Sequence, residues 1–477
     1  MASDLCRHTV AQLSRLVTER KVSPREVVDA FLERIETHNP TLNAFVTLCP
    51  EQARREADRL SDELMRSGSR GPLHGIPIGV KDLTDTAGLR TTYGSILFKD
   101  NVPAADAAPV ERLRAAGAIV VGKTNTHEFA CGTTTDNPHY GATHNPWRLG
   151  HVPGGSSGGS GSAVAAGLVP LATGSDTGGS IRIPSAVCGC VGIKPTHGRV
   201  SLRGTHPMAL SLDHVGPLAR TAHDCALALN VMAGFDPGDP WSRRLADEDF
   251  ARDLERPLAG RRVAIAPGYR PMPLEASVER NFVRTLDALR GLGVTIVEVD
   301  LPAPAEISAA AGPIIMSETY AVHSERYAAH RDQYGADVQL QLDYGATVSM
   351  LNLVQAQYHR EAIARALEQI VTEEADALLL PTAPIEAPPI GDQTIEVDGQ
   401  SLPVLIALAS YTLLHNLTRL PTVALPSGLG RVGLPTSVQI TTAPGREALA
   451  LNFAHQLETV LWPDRERWPE LPTPRPR

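Results

Sequence analysis

The chain has 477 residues, a formal net charge of −9 at pH 7 and a pI near 6.0. This acidic balance argues against nucleic acid as a partner, because a nucleic-acid-binding face is basic. No apolar run reaches membrane-spanning length and the N-terminus MASDLCRHTV lacks an apolar signal core, so we expect a cytoplasmic protein without membrane contact. The six scattered cysteines are expected to be reduced thiols and not a disulfide framework.

Residues 1–70 predict a layer of helices packed on the main domain. Helical spacing covers residues 9–20, and a capping box at Ser23, with proline at the first helical position, predicts a second helix to about His38. Residues 51–67 predict a third, highly charged helix. This layer is also a candidate contact for a homodimer.

Strands then alternate with helices, which is typical of an α/β fold. Residues 71–235 are expected to form the catalytic core. Their pattern predicts a strand in GIPIGVKD, a helix at 105–116, a strand at 118–123, a helix and strand within 162–171, and helices at 180–187 and 221–233. The N-terminus of the helix at 180–187 is expected to face the reacting oxygen of a substrate.

Residues 236–462 are expected to continue the same domain, with a variable substrate-specificity region near 300–420. The predicted elements are strands at 262–266 and 294–300, helices at 275–292, 351–375 and 446–460, a strand in ALLLPTAP, a hairpin turning on Asp398-Gly399, and strands in LPTVALPSG and GLPTSVQITTAP. Residues 463–477 form a proline-rich tail in which partial disorder is expected.

Two glycine loops that carry serines lie close together within residues 151–196. Glycine lets backbone N–H groups approach a ligand closely, and successive N–H groups can bind an anion. A serine among such donors is well placed for nucleophilic attack. Ser180 directly follows Thr177, Gly178 and Gly179, so the backbone of these three residues is the candidate oxyanion hole.

Lys81 stands inside the apolar segment GIPIGVKD, in a chain with only five lysines against 39 arginines. Since the chain uses arginine for surface charge, this lysine is a candidate base. A buried lysine can lose its proton, whereas arginine effectively cannot. The alternative is a lysine at the end of a strand whose amine extends to water.

These motifs resemble the amidase signature family. The runs GIPIGVKD, GGSSGGS, GSDTGGSIRIPSA and CGCVGIKPT carry the resemblance, which covers about residues 60–235 well and the C-terminal half loosely. It implies amide hydrolysis by a Ser–Ser–Lys triad that matches Lys81, Ser156 and Ser180, with Ser156 following a cis, non-proline peptide bond. It also implies a single large domain whose mixed β-sheet is covered by helices on both faces.

The resemblance further implies that Ala130, Cys131 and Gly132 line the acyl pocket, although Cys131 is equally well explained as a small core residue. No metal or organic cofactor is expected. His127 and Glu128 begin an apparent HExxH zinc motif, but Cys131 replaces its second histidine.

Other interpretations of the glycine loops remain. Neither of these two loops contains a phosphate-loop or dinucleotide motif. Residues 155–159 match GxSxG with Ser157 as an elbow nucleophile, but the strand that such an elbow needs is missing. Ser157 is therefore expected to be a supporting hydroxyl beside the triad. Asp176 and Arg182 are expected to brace the nucleophile loop as an ion pair, with solvated surface charges as the alternative.

The sequence thus predicts an enzyme that hydrolyses a small-molecule linear amide through an acyl-enzyme on Ser180, without nucleic acid. Esters and carbamates share this chemistry and remain open as substrates. A second hypothesis is the amidase component of a tRNA-dependent amidotransferase, which acts within a complex and passes ammonia to an activated acyl group. A third, a non-catalytic binding module, is disfavoured because all three triad positions are intact.

Overall fold

The structure is a computed structural model that describes residues 5–462 and 468–471. Its α-helices are α1 (Val10–Thr18), α2 (Pro24–Leu42), α3 (Pro50–Ser67), α4 (Ala108–Ala115), α5 (Gly158–Ala165), α6 (Arg182–Cys188), α7 (Ala222–Met232), α8 (Ala276–Gly291), α9 (Pro304–His330), α10 (Ala336–Thr347), α11 (Met350–Gln369), α12 (Val404–Ala409), α13 (Leu413–Leu417) and α14 (Glu447–Leu461).

The strands occur in both halves of the chain. They are β1 (Phe45–Leu48), β2 (Pro77–Lys81), β3 (Ile119–Thr124), β4 (Asp136–Asn137), β5 (Gly141–Ala142), β6 (Leu171–Ser175), β7 (Val191–Lys194), β8 (Val215–Ala219), β9 (Arg262–Ile265), β10 (Thr295–Glu298), β11 (Ala377–Pro381), β12 (Thr394–Val397), β13 (Gln400–Pro403), β14 (Thr422–Leu429) and β15 (Pro435–Thr441).

Eleven of these strands form one mixed sheet, in the order β1-β3-β2-β6-β8-β7-β14-β15-β11-β9-β10. The central strands β8, β7, β14 and β15 pair antiparallel with their neighbours. On one side of these central strands, β3, β2 and β6 pair in parallel with one another. On the other side, β11, β9 and β10 do the same. Because one sheet draws strands from both halves of the chain, the predicted single α/β domain is confirmed.

Alternate residues of β11 face two different cores, as strand geometry requires. Ala377 and Leu379 pack in a core that contains α7 and α14, whereas Leu378 and Leu380 pack in a core that contains α9 and α11. Helices therefore cover both faces of the sheet, as expected. The second core also holds Cys131, so the long helices of the C-terminal half reach the expected active site.

The three N-terminal helices are confirmed. Thr9 and Ser23 each form the reciprocal hydrogen bonds of a capping box. Helix α2 runs to Leu42, beyond the predicted end, and stops where Asn43 takes a left-handed conformation with φ of 50°.

Helix α5 begins at Gly158, inside the first glycine loop, and not near residue 162 as predicted. The glycines of this segment serve packing. A Cβ at Gly159 would lie 2.3 Å from the backbone nitrogen of Asn125, and one at Gly161 would lie 2.9 Å from Pro184. Part of the first glycine loop is thus a buried helix. It packs this closely against Asn125 and Pro184 because its residues have small side chains or none.

Helices α9 and α10 occupy residues for which the sequence pattern predicted no element. Pro313 lies inside α9 and apolar residues are spread around this helix, so its pattern is not that of a helix with one apolar face. Tertiary packing forms it, because Ile307, Ala310 and Ile314 are buried in the second core.

Most of the predicted tail lies outside the described residues. Within 468–471, Trp468 packs on the domain, with its ring centroid 4.5 Å from the guanidinium carbon of Arg220. None of the helices in the described residues combines the length and apolar character needed to cross a bilayer.

Candidate active site

Lys81 ends β2 with its side chain completely buried. Its Nζ lies 2.7 Å from Ser156 Oγ and 2.7 Å from Ser175 Oγ. The amine therefore sits between the two serine-bearing loops and does not extend to water, which removes the alternative of a solvated strand-end lysine.

Burial lowers the pKa of Lys81 to about 7, while the negative charges of Asp176 and Asp213 partly oppose this shift. The neutral form of Lys81 is therefore accessible near neutral pH. A neutral amine offers a lone pair, so Lys81 can accept a proton from Ser156 at ordinary pH.

Burial alone does not identify the base, because Lys123 and Lys194 are also fully buried. Lys123 donates to the hydroxyls of Thr86 and Thr91, both at 2.9 Å. Lys194 donates to the carbonyl of Leu420 at 2.5 Å. Only Lys81 among these three has a serine of the first glycine loop as a partner.

Ser156 follows a cis peptide bond after Gly155, as the family resemblance implied. Its carbonyl accepts hydrogen bonds from the His127 N–H at 3.1 Å and from the hydroxyls of Thr126 at 3.0 Å and Thr135 at 3.2 Å. Three donors on one carbonyl hold the backbone at this residue, so the Ser156 hydroxyl is aimed at Lys81.

Ser180 lies in the loop after β6 and is 6% exposed. The N–H of Ser157 donates to the Ser180 carbonyl at 3.3 Å, which brings the two glycine loops into contact. The Ser157 hydroxyl is fully buried and bonds the main chain of Ser175 at 3.2 and 3.3 Å. Ser157 therefore supports the loop beside Lys81 and is not accessible as a nucleophile.

One residue of the predicted oxyanion hole does not fit the structure. The N–H of Gly179 donates to the carboxylate of Asp176 at 2.8 Å, so it points into the loop and away from a substrate. The N–H groups of Thr177, Gly178 and Ser180 have no partner within the described residues. Ser180 itself thus replaces Gly179 as a candidate donor.

Asp176 and Arg182 form the predicted ion pair, with 3.0 Å between Oδ1 and a guanidinium nitrogen and both side chains fully buried. Arg182 also donates to Gln439 at 2.8 Å and to Asn416 at 2.6 Å. The positive guanidinium beside Asp176 outweighs burial and holds the pKa of that carboxyl at about 2.

The N-terminus of α6 does not face the reacting oxygen, contrary to the prediction. The N–H groups of Ile181 and Arg182 instead donate to Asp176 Oδ2, at 3.1 and 3.4 Å. The carboxylate therefore caps this helix, as anions do at helix N-termini. The positive end of α6 stabilises Asp176 and, through it, the shape of the nucleophile loop.

Replacing Arg182 by methionine is expected to destabilise the protein by about 3–5 kcal/mol, because it leaves the Asp176 charge buried and unpaired. Replacing Arg290, whose contact with Asp287 is well exposed, should cost less than about 1 kcal/mol. Urea unfolding at pH 7 measures both. A loss below about 1 kcal/mol for Arg182→Met would show that the pair does not hold the loop.

The segment expected to line the acyl pocket lies beside the triad. Ala130, Cys131 and Gly132 follow His127, whose N–H binds Ser156. The Cys131 side chain is fully buried, and burial raises the pKa of its thiol well above its ordinary value. This thiol is therefore a poor nucleophile and a wall residue at most.

The described residues contain no cluster of three or more His, Cys, Asp or Glu side chains that could hold a metal ion. His127 and Glu128 point to different partners, namely Asp337 and His139. The apparent zinc motif thus separates into two imidazole–carboxylate contacts.

Several residues of the site were not predicted. Ser175 stands in the motif GSDTGGS and could have been found there as a third hydroxyl near Lys81. Asn416 and Gln439 reach Arg182 from the far end of the chain, and no local sequence signal marks them. Thr412 donates to the carbonyl of Gly178 at 2.6 Å and holds the nucleophile loop from the same side.

Comparison with known proteins finds relatives over nearly the whole chain. The family model Amidase matches residues 26–451, a wider span than the resemblance predicted from the motifs. The chain is 38% identical, over 476 residues, to the A subunit of the glutamyl-tRNA(Gln) amidotransferase of Thiobacillus denitrificans; the match covers 95% of this chain and 97% of the relative.

Two solved structures share the fold. One comes from a complex described as vestigial and as revealing the evolutionary origins of an s-triazine catabolic enzyme. Its TM-score is 0.90 at 34% identity, covering 95% of this chain and 98% of that chain. The other is a bacterial aryl acylamidase of the amidase signature enzymes, with a TM-score of 0.89 at 28% identity. The match covers 98% of this chain and 99% of that chain.

These relatives correct one prediction. A small-molecule amide as partner, possibly with a homodimer and without nucleic acid, was expected partly from the net charge of −9. That expectation is wrong, because a relative matched over nearly its whole length is named for an enzyme complex that acts on tRNA. Net charge describes one chain, and a different chain of a complex can supply the basic surface for RNA.

Proposed function

We propose that this chain, which belongs to the amidase family, cleaves the C–N bond of a carboxylic amide through an acyl-enzyme on Ser180. The observation that carries the proposal is the buried 2.7 Å contact between Lys81 Nζ and Ser156 Oγ. The next residue, Ser157, binds the carbonyl of Ser180. The base and the relay hydroxyl are therefore in direct contact, and the backbone of the nucleophile residue is held beside them.

In the first step, neutral Lys81 accepts the proton of Ser156 while Ser156 accepts the proton of Ser180. The Ser180 oxygen then bonds to the amide carbon, and the carbonyl oxygen takes up the negative charge. The N–H groups of Thr177, Gly178 and Ser180 would stabilise this oxyanion. Losing one such donor typically costs about 3 kcal/mol of transition-state stabilisation.

In the second step, the C–N bond breaks and the proton on Lys81 returns through Ser156 to the departing amine. The acyl group is left as an ester on Ser180. A water molecule, activated by the same two residues, attacks this ester and releases the carboxylate. The Ser180 hydroxyl is then restored, and no cofactor takes part in these steps.

The setting supported best by the relatives is a tRNA-dependent amidotransferase. In this role the amide is the nitrogen donor, the departing amine is ammonia, and the chain passes that ammonia to an activated acyl group on tRNA within a complex. The 38% identity over nearly the full length of such an amidotransferase chain supports this assignment. Other chains of the complex would then bind the tRNA.

A second candidate is an amide hydrolase that acts without transfer. The observation in its favour is the TM-score of 0.89 with a bacterial aryl acylamidase over 98% of this chain. Both candidates use the same triad, and they differ in what happens to the released amine.

The deciding experiment purifies the tagged chain with its native partners from its source cells. The preparation is supplied with glutamine labelled with ¹⁵N in the amide, with glutamyl-tRNA(Gln), and with ATP and Mg²⁺ to activate the side-chain carboxylate of the glutamyl group. Mass spectrometry follows the label. We expect ¹⁵N to appear in the tRNA-bound amino acid. Ser180→Ala in the same complex is the matched control and should abolish the transfer.

The isolated chain is assayed in parallel on primary amides, anilides, esters and carbamates. Turnover by the isolated chain, together with an absence of ¹⁵N transfer by the complex, would replace the amidotransferase role with the second candidate. No Ser180-dependent reaction in either preparation would contradict both.

A further inference from the structure

We infer that His127 and Asp337 form a latch through which helix α10 holds the wall of the acyl pocket, and that both are positioning residues for the hydrolysis at Ser180. The inference rests on the proposed function. It assigns a role to α10, a part of the variable region that contributes no residue to the triad.

The backbone of the pocket wall needs outside support. Phe129 and Ala130 are consecutive, and both adopt left-handed conformations, with φ of 49° and 63°. Residues with side chains rarely adopt this region, and two in succession persist only where surrounding contacts hold them. The Phe129 N–H donates to the carbonyl of Tyr93 at 2.9 Å, which secures one side of the segment.

Helix α10 and the residue before it secure the other side with three contacts to three different residues. The Gly335 N–H donates to Glu128 Oε2 at 2.7 Å. His127 Nε2 lies 2.5 Å from a carboxylate oxygen of Asp337. Gln341 Nε2 donates to the carbonyl of Cys131 at 2.7 Å. One helix and the residue before it thus hold Cys131 of the predicted wall together with His127 and Glu128, which precede the wall.

His127 connects this helix to the triad. Its backbone N–H donates to the carbonyl of Ser156 at 3.1 Å. Its ring packs directly under Gly132, where an added Cβ would lie 2.3 Å from the ring carbon Cε1. A shift of Asp337 would therefore move the ring, and with it the wall, relative to Ser156.

The two partners differ in exposure, which makes the latch testable. The His127 side chain is 3% exposed, whereas that of Asp337 is 46% exposed. Changing Asp337 therefore leaves no cavity in the core, and the variants are expected to fold. A matched contact exists elsewhere: buried His455 lies 2.7 Å from the carboxylate of Glu255, which is 86% exposed.

The test uses Asp337→Ala, Asp337→Asn and the control Glu255→Ala. Each protein is treated with two fluorophosphonates, one with an ethyl and one with a decyl chain, and mass spectrometry gives the rate of labelling at Ser180. The rate of labelling by the ethyl probe depends on the triad. The rate of labelling by the decyl probe depends also on the wall of the acyl pocket. Thermal unfolding of each variant serves as the folding control.

For Asp337→Ala we expect decyl labelling to fall about 10-fold and ethyl labelling to fall less than about 2-fold, since small displacements in a binding site have effects of this size or larger. Asp337→Asn retains an acceptor for His127 and should recover most of the decyl rate. Glu255→Ala should label like the wild type with both probes.

Unchanged decyl labelling in Asp337→Ala, or an equal fall with both probes, would overturn the latch. Failure of Asp337→Asn to recover any of the decyl rate would also contradict it. Wild-type protein that neither probe labels at Ser180 would instead contradict the proposed function, and the latch with it. The two failures are therefore distinguishable.

Discussion

Replacing Lys81 by arginine is expected to lower kcat/KM by about 10³-fold or more, nearly as far as replacement by alanine. Arginine keeps the positive charge but cannot accept a proton, because its pKa lies above 12. Loss of a positioned general base typically costs about 10²–10⁴-fold. The matched control is Lys21→Arg, since Lys21 is 65% exposed and remote in the sequence from both serine loops.

The pH dependence of the wild type gives the same test a second readout. Burial lowers the pKa of Lys81 to about 7, so the neutral, active form is lost as the pH falls below 7. We expect kcat/KM to rise with pH through about 7 and then to level off. The rise should follow a single ionisation of the free enzyme.

Steady-state kinetics across pH, with circular dichroism to confirm folding, measures both effects. A folded Lys81→Arg protein that retains most of the wild-type rate would show that Lys81 is a structural cation. The Ser–Ser–Lys mechanism proposed above would then be wrong.

Replacing Ser180 by alanine should have the largest effect, a fall of about 10⁴-fold or more in kcat, because no acyl-enzyme can form. A fluorophosphonate should add to Ser180 in the wild type, and peptide mass spectrometry locates the adduct. Ser157→Ala is the matched control, since Ser157 is fully buried and its hydroxyl, within the described residues, bonds only main-chain atoms of Ser175. It should lower kcat by less than about 10-fold.

The position of the adduct decides between the two serine motifs of the chain. Labelling of Ser157, with loss of activity in Ser157→Ala, would favour the elbow nucleophile of the GxSxG interpretation. In that case Ser180 would be a loop residue, and its replacement would leave the labelling intact.

The ion pair between Asp176 and Arg182 also makes the stability of the folded protein depend on pH. The pKa of Asp176 is about 2 in the folded protein, below its ordinary value near 4. Its contribution to stability is therefore present above about pH 4 and is lost as the pH falls toward 2. The same guanidinium contact explains the expected cost of Arg182→Met.

Local signals in the sequence were enough to predict most elements and the candidate triad. The capping box at Ser23 and the turn at Asp398-Gly399 depend on neighbouring residues, so they can be recognised in a short window of sequence. The resemblance to the amidase signature family likewise selects Lys81, Ser156 and Ser180, because each stands in a short segment that matches a motif of that family.

Other features were decided by contacts between residues far apart in the chain. Three lysines are buried alike, and only the packing of β2 against β6 brings Lys81 to the serine loops. The Gly179 N–H donates to the carboxylate of Asp176, which Arg182 and Asn416 also contact, and Gln439 in turn accepts a hydrogen bond from Arg182. None of this follows from the local motif.

The segment expected to line the acyl pocket shows the same division most clearly. The sequence marked residues 130–132, but the groups that hold them belong to α10, some 210 positions later in the chain. Helix α9 before it carries an internal proline and forms through burial of apolar side chains. Short-range patterns specify the elements and the reactive side chains. The orientation of those side chains depends on long-range hydrogen bonds and packing, which exist only once the sheet has assembled.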